Sequence, residues 1–295
     1  MPDVVIRPMR VEDVPVAEEL SLGAYTASER YEPAADHATS PRHTPARAGQ
    51  WIMRTSHVLA TDPGGCWVAE RDETMLGFAV SLRRDLLWIL SSYAVRTDLQ
   101  GQGIGRPLLE AAMSYSRGCL RGMLASSSDP KAFRRYRRAG FTLHPQLHLA
   151  GVPDRSAIPV VEHVRDGTPG DVDLLDSLDR QRRHAAHGPD HGVLSSVHRL
   201  LVTDHSTGSG YVYLHDSGSP ALLAASNRQA ATRLLWAAVA AAPRGEPVEV
   251  AHVTTANEWA VDVGLDAGLA VSTRGYLALR GMQPPMPYLH HGSLL

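Results

Sequence analysis

Lysine is almost absent from this sequence: of 29 basic side chains only Lys131 is a lysine, and the rest are arginine. With 31 acidic residues the formal net charge is -2 and the pI is near 6.7, so no overall positive field draws in nucleic acid or an anionic membrane. Cysteine is equally scarce. Cys66 and Cys119 lie far apart in apolar surroundings, without the paired spacing of a zinc site or a redox motif, and read as free thiols. No apolar run approaches the roughly 20 residues that span a bilayer. The opening MPDVVIRPMRVEDV has no cationic lead before an apolar core, which together with that lack predicts a cytoplasmic protein with neither a nucleic-acid nor a membrane partner.

What is present is ordinary globular composition, 43% hydrophobic and 20% charged, over 295 residues, enough for two domains. Val4 to Pro8 reads as a strand and a helix follows from about Glu12, with Asp13 near its N-terminus. Glu32 to Gln50, with its prolines and histidines, reads as a loop or short helical piece of the kind that shapes substrate pockets. Cys66–Glu70, Met75–Arg83 and Leu86–Val95 predict an antiparallel meander. Arg106–Arg117 predicts a helix, Met123–Ser127 a parallel strand, Pro130–Ala139 a helix and Phe141–Leu149 a last strand. Gly151–Pro159 reads as a linker, giving a first domain over 1–150, a linker over 151–159 and a second domain over 160–295.

The second half repeats the first. VRDGTPGDV at 164–172 lies on IRPMRVEDV at 6–14, aligning Arg165 with Arg7 and Asp171 with Asp13. Asn257, Ala260, Gly264, Gly268 and Leu269 keep the spacing of Asp129, Ala132, Tyr136, Gly140 and Phe141, as two diverged copies of one fold would.

Between a strand and a helix, Gln100-Gly101-Gln102-Gly103-Ile104-Gly105 brings the backbone close to a ligand and points amides at it, and the helix opening at Arg106 adds its dipole. Such a turn suits phosphate oxygens. An NTPase phosphate loop needs Gly-Lys-Ser or Gly-Lys-Thr, but Arg106-Pro107 follows Gly105, and a dinucleotide fingerprint needs a glycine or alanine at 106.

Val95 to Gly105, VRTDLQGQGIG, resembles the acyl-CoA signature of the GNAT superfamily of N-acyltransferases, and Asp129-Pro-Lys-Ala132, Tyr136 and Gly140-Phe141 resemble its following helix. The likeness covers 4–149 well and 160–280 faintly. It implies an α/β chain of two tandem GNAT-like domains, each a mixed, mostly antiparallel sheet flanked by helices. It implies acetyl-CoA, or another acyl-CoA, as co-substrate, in a cleft between the fourth and fifth strands. By the same resemblance Gln100, Gly101, Gln102, Gly103, Ile104, Gly105, Arg106 and Asp129 hold the cofactor, amides around Ala94 and Val95 polarise the thioester, and Tyr136 gives a proton to the leaving thiolate. A core-facing aromatic is the plainer reading of Tyr136. Arg134, Arg135, Arg137 and Arg138 read as a solvated face from which one could reach the 3′-phosphate of CoA, and Asp85, Ser91, Ser92, His37 and His43 are candidate bases by position alone, with a water relay as the alternative.

The expected reaction is acyl transfer from CoA to an amine of a small molecule or peptide. The alternatives are transfer from the phosphopantetheine of an acyl carrier protein, and a catalytically silent acyl-CoA-binding module. The second copy has only Ser226-Asn227 where the glycine turn would be, so its role reads as structural, and the tail from Gly281 as packing on a surface. His184, His187 and His191 have metal-like spacing, but Gly188-Pro189 breaks any helix carrying them, so they read as a polar loop and no metal is expected.

Overall fold

The computed structural model describes residues 4–31 and 44–295. In chain order the elements begin β1 (Val5–Pro8), α1 (Asp13–Ser28), α2 (Pro45–Thr61), β2 (Cys66–Arg71), β3 (Thr74–Arg84), β4 (Leu87–Val95), α3 (Gly105–Ser114), β5 (Arg121–Ser126) and α4 (Pro130–Arg138). There follow β6 (Thr142–Gly151), β7 (Arg165–Asp166), α5 (Val172–Arg183), α6 (Asp190–Val197), β8 (Arg199–His205), β9 (Gly208–Leu214) and β10 (Pro220–Ala225). The chain continues through α7 (Arg228–Ala241), β11 (Val248–Thr254), α8 (Glu258–Asp266), β12 (Ala270–Arg280) and β13 (Tyr288–Leu289). Two compact units divide it: among the described residues the first comprises 4–31, 44–142 and 278–282, the second 143–277 and 283–295. The strand read as closing the first domain therefore falls with the second unit from Leu143 onward.

In the first unit β1, β2, β3 and β4 pair antiparallel in sequence order, and β5 lies parallel beside β4. The β2–β3 hairpin closes through Asp72 and Glu73, both at positive φ (48° and 60°), the paired left-handed geometry that matches the twist of the flanking strands. Val68, Phe78, Val80, Trp88, Ile89, Leu108, Met123 and Phe141 are buried and form the core. The stretch read as a loop or short helical piece becomes, from Pro45 on, the 17-residue helix α2: Thr44 is extended and its hydroxyl accepts from the amide of Arg47 (3.2 Å), with Pro45 in the first turn.

In the second unit β13, β10, β9, β8 and β7 form an antiparallel sheet, and β11 pairs antiparallel with β6. Helix α7 is alanine- and leucine-rich and buried along most of its length, from Ala230 to Val239, so it forms the middle of that unit's core.

The repeat seen in the sequence is repeated in the bonding. Arg7 forks onto Asp13 (2.7 and 2.9 Å), whose Oδ2 also accepts from the amide of Arg10 (2.7 Å). Arg165 forks onto Asp171 (2.9 and 2.5 Å), whose Oδ2 accepts from the amide of Thr168 (2.7 Å). Later, α4 ends with Phe141 N–H donating to Tyr136 O (3.1 Å) across Gly140 at φ 89°, and α8 with Leu269 N–H donating to Gly264 O (2.8 Å) across Gly268 at φ 77°. Both are the same helix stop. Among the described residues, no helix is long and apolar enough to cross a membrane.

Candidate active site

The site begins with an extra residue in a strand. Val80 of β3 faces Ser92 of β4, but Ser81 faces Leu90, so Ser91 bulges out of the ladder. The bulge redirects β4. Its pairing with β5 runs from Leu87↔Arg121 to Leu90↔Leu124 and stops there. The strands then part around a cleft of about 780 Å³, measured to its open mouth. Ser91–Val95 and Gln100 line one side, Ala125–Ser127 and Asp129 the other, and Lys131, Arg135 and Tyr136 of α4 with Tyr25 and Ser28 of α1 complete it.

The glycine turn follows β4. Gly101 and Gly103 sit at φ 90° and 88° with open space where a side chain would start. Among the described residues, the amides of Gly101, Gly103, Ile104 and Gly105 donate to no protein acceptor. Ile104, at the N-cap of α3, offers no side-chain cap. That leaves a cluster of backbone donors at a helix start, the arrangement that holds pyrophosphate. Gly105 is required for another reason: a Cβ there would collide with the Tyr93 hydroxyl, which donates to Gly105 O at 2.8 Å. The Arg106 side chain turns along α3 to Glu110 (2.8 Å) and the Gln102 amide donates to Asp98 O (3.4 Å), so these two face away from the nest. Asp129 caps α4, accepting from the amide of Lys131 (2.8 Å).

Tyr136 is 6% exposed and borders the cleft, with its ring edge-on to Phe141 (6.5 Å). Burial raises its phenol well above the ordinary value and nearby Tyr93 adds to the rise, while Arg135 pulls the other way without prevailing. Tyr93 is pushed up to about 12 by burial, against the pull of Arg135, whose guanidinium lies 5.2 Å over its ring. Arg135 is thus part of the site, whereas the sequence read its helix face as solvated. Of the candidate bases, Asp85 sits exposed in the β3–β4 turn at the far end of β4, and Ser91 and Ser92 line the cleft. The Ser92 hydroxyl is buried without a hydrogen-bond partner. His37 and His43 lie outside the described residues. Tyr93, Tyr25 and Ser28 were not anticipated. Tyr93 alone carried a signal, a polar-tipped aromatic within the expected thioester strand, beside Ala94.

The second unit fills the corresponding places. Where the edge of β4 is left open, β10 pairs with β13, Leu223 opposite Leu289 and Ala224 opposite Tyr288, and Ala225 N–H donates to Pro287 O (3.4 Å). Asn257, the counterpart of Asp129, donates to Pro285 O and accepts from Tyr288 N–H, both at 3.0 Å. The start of α7 is capped by Asn227, which accepts from Ala230 N–H (2.9 Å). Gly264, the counterpart of Tyr136, leaves room that Leu149 occupies. The tail expected to pack on a surface is buried at Tyr288 and Leu289.

Residues 62–143 match the family model for the acetyltransferase (GNAT) domain. No curated protein matches the sequence. Among solved structures, a Pyrococcus horikoshii protein assigned as an acetyltransferase superposes with a TM-score of 0.74 at 16% identity, over 99% of this chain and 95% of the other. A GCN5-related N-acetyltransferase from Sphaerobacter thermophilus gives 0.60 at 16% identity over 95% and 96%. A tandem GNAT protein from the clavulanic acid biosynthesis pathway gives 0.59 at 15% identity over 94% and 98%. At these identities the structural likenesses speak for the fold, and the matched domain spans the bulged strand, the glycine turn and Tyr136. Residues 62–143 thus match a GNAT acetyltransferase domain, and the chain as a whole shares the fold of these structures.

Proposed function

We propose that the first unit transfers an acyl group from CoA to the amine of a small molecule or peptide, and that the second unit binds no cofactor. The observation that carries this is the wedge opened by the Ser91 bulge, which ends at the unpaired amides of Gly101, Gly103, Ile104 and Gly105 and is bordered by Tyr136. The amides and the start of α3 take the pyrophosphate, and pantetheine runs along the open edge of β4. The Ala94 amide points into the ladder with β3, as that of Arg96 does, so it is the Val95 amide on the open edge that polarises the thioester carbonyl as the amine nitrogen attacks its carbon. When the C–S bond breaks, Tyr136 donates toward the sulfur. A free thiol has a pKa of about 8.5, below that of a phenol held above its ordinary value, so Tyr136 stays protonated and steadies the departing thiolate by a hydrogen bond as negative charge builds on sulfur, the thiolate taking its final proton by way of water. The acceptor nitrogen attacks as the free amine, and its proton leaves through water.

Tyr136→Phe keeps the ring and its contact with Phe141. We expect kcat to fall on the order of 100-fold with CoA affinity nearly unchanged, read by thiol release across an amine panel. A folded variant with the wild-type rate would remove Tyr136 from the mechanism.

A further inference from the structure

Three side chains of the second unit meet where the sequence suggested a polar loop. Asp179 lies on α5, His191 on α6 and His187 in the turn between them, with exposures of 0%, 2% and 0%. Asp179 Oδ2 is 2.7 Å from His187 Nδ1 and 3.2 Å from His191 Nε2, and Asp176 Oδ1 is 3.3 Å from the same His191 nitrogen. His184, the third member of the spaced histidines, ends α5 at φ 67° and is not in this group.

We propose that Asp179, His187 and His191 form a buried structural site for a divalent transition metal of the zinc type, with the Asp176 carboxylate beside His191 turning in as the fourth ligand. His191 Nε2 lies between two carboxylate oxygens without the geometry of a hydrogen bond to either. Ligands about 2.0 Å from zinc in a tetrahedron stand about 3.3 Å apart; the candidate ligand atoms of Asp179, His187 and His191 all lie within 4.8 Å of one another, with the His187–Asp179 pair closer than the tetrahedral spacing and His191 at that spacing from Asp179. Two neutral imidazoles and two carboxylates balance a divalent charge. The outer atoms of His191 and Asp179 are already oriented, as outer partners of metal sites are. Tyr213 OH lies 3.2 Å from His191 Nδ1, and Tyr211 OH donates to Asp179 Oδ1. The nearby cation, Arg183, gives its hydrogen bonds to the carbonyls of Ala185, Ala186 and Leu294, leaving the Asp179 carboxylate without an arginine fork.

The test uses tag-free, chelator-treated full-length protein titrated with cobalt(II). One equivalent per chain should give the visible absorption of a four-coordinate site without thiolate charge-transfer bands, zinc should abolish it, and zinc should raise the unfolding temperature. Tyr213→Phe should weaken cobalt binding about 10- to 100-fold, His191→Ala should remove the band, and His184→Ala should leave it intact. Wild-type protein that binds no cobalt, or a band that survives His191→Ala, overturns the site. If His191→Ala does not fold, the wild-type titration decides alone.

Discussion

At the scale of single residues, the phosphate end of the site depends on what is missing from Gly103. Its φ of 88° and the open space above it suit a backbone whose amides face a ligand. Gly103→Asp would place a carboxylate among those donors, at a backbone strain of about 1 kcal/mol. Calorimetry should then find one CoA per wild-type chain and none in the folded variant, and two in the wild type would contradict a cofactor-free second unit. This part of the site was legible because the glycines carry their geometry in their identity. Tyr93 and Arg135 were not, because their roles arise from a cation stacking on a ring contributed by a different element, which spacing along one helix does not disclose.

At the scale of elements, the two copies show which signals survive divergence. The Arg–Asp fork and the glycine stop persist because each is a local closure with few alternatives, and both were visible as aligned residues. Helix α2 was missed because its start rests on Thr44-Pro45 amid further prolines and histidines, where composition argued for a loop. The histidine cluster was dismissed because Gly188-Pro189 breaks a helix. That break is the reversal that returns His187 and His191 to Asp179. Strand β13 had no periodic signal at two residues, and Asn257 fixes it. Asn257→Ala would leave the Trp259 indole N–H, the Tyr288 amide and the Pro285 carbonyl without their partner. We expect a loss of about 3 kcal/mol in denaturant unfolding of the second unit, with CoA binding unchanged. A loss within experimental error would mean that the tail is held by its apolar contacts alone.

At the scale of the whole molecule, the two units answer acid differently from their chemistry. His290 is buried, with the Gln146 amide against its Nε2 and its Nδ1–H donating to His291 O (3.0 Å), and burial lowers it to about 4. The unfolded chain binds that proton first, near 6.5, so the stability is whole above pH 6.5 and drains away as pH falls toward 4. Between pH 7 and 5 this amounts to about 2 kcal/mol, and buried His252, also lowered, adds in the same direction. His290→Asn should flatten the dependence measured by unfolding at each pH, and an unchanged slope would place the acid sensitivity elsewhere. The Arg-paired carboxylates Asp13 and Asp171, both lowered, give up their contribution only below the ordinary carboxylate range. The segment around β13 has a further meaning. A sheet edge with no strand and no ligand on it invites pairing with other chains. By laying its own backbone on β10, the second copy seals the edge that loss of a cofactor would have bared, and a protein cut before residue 283 would meet its neighbours there.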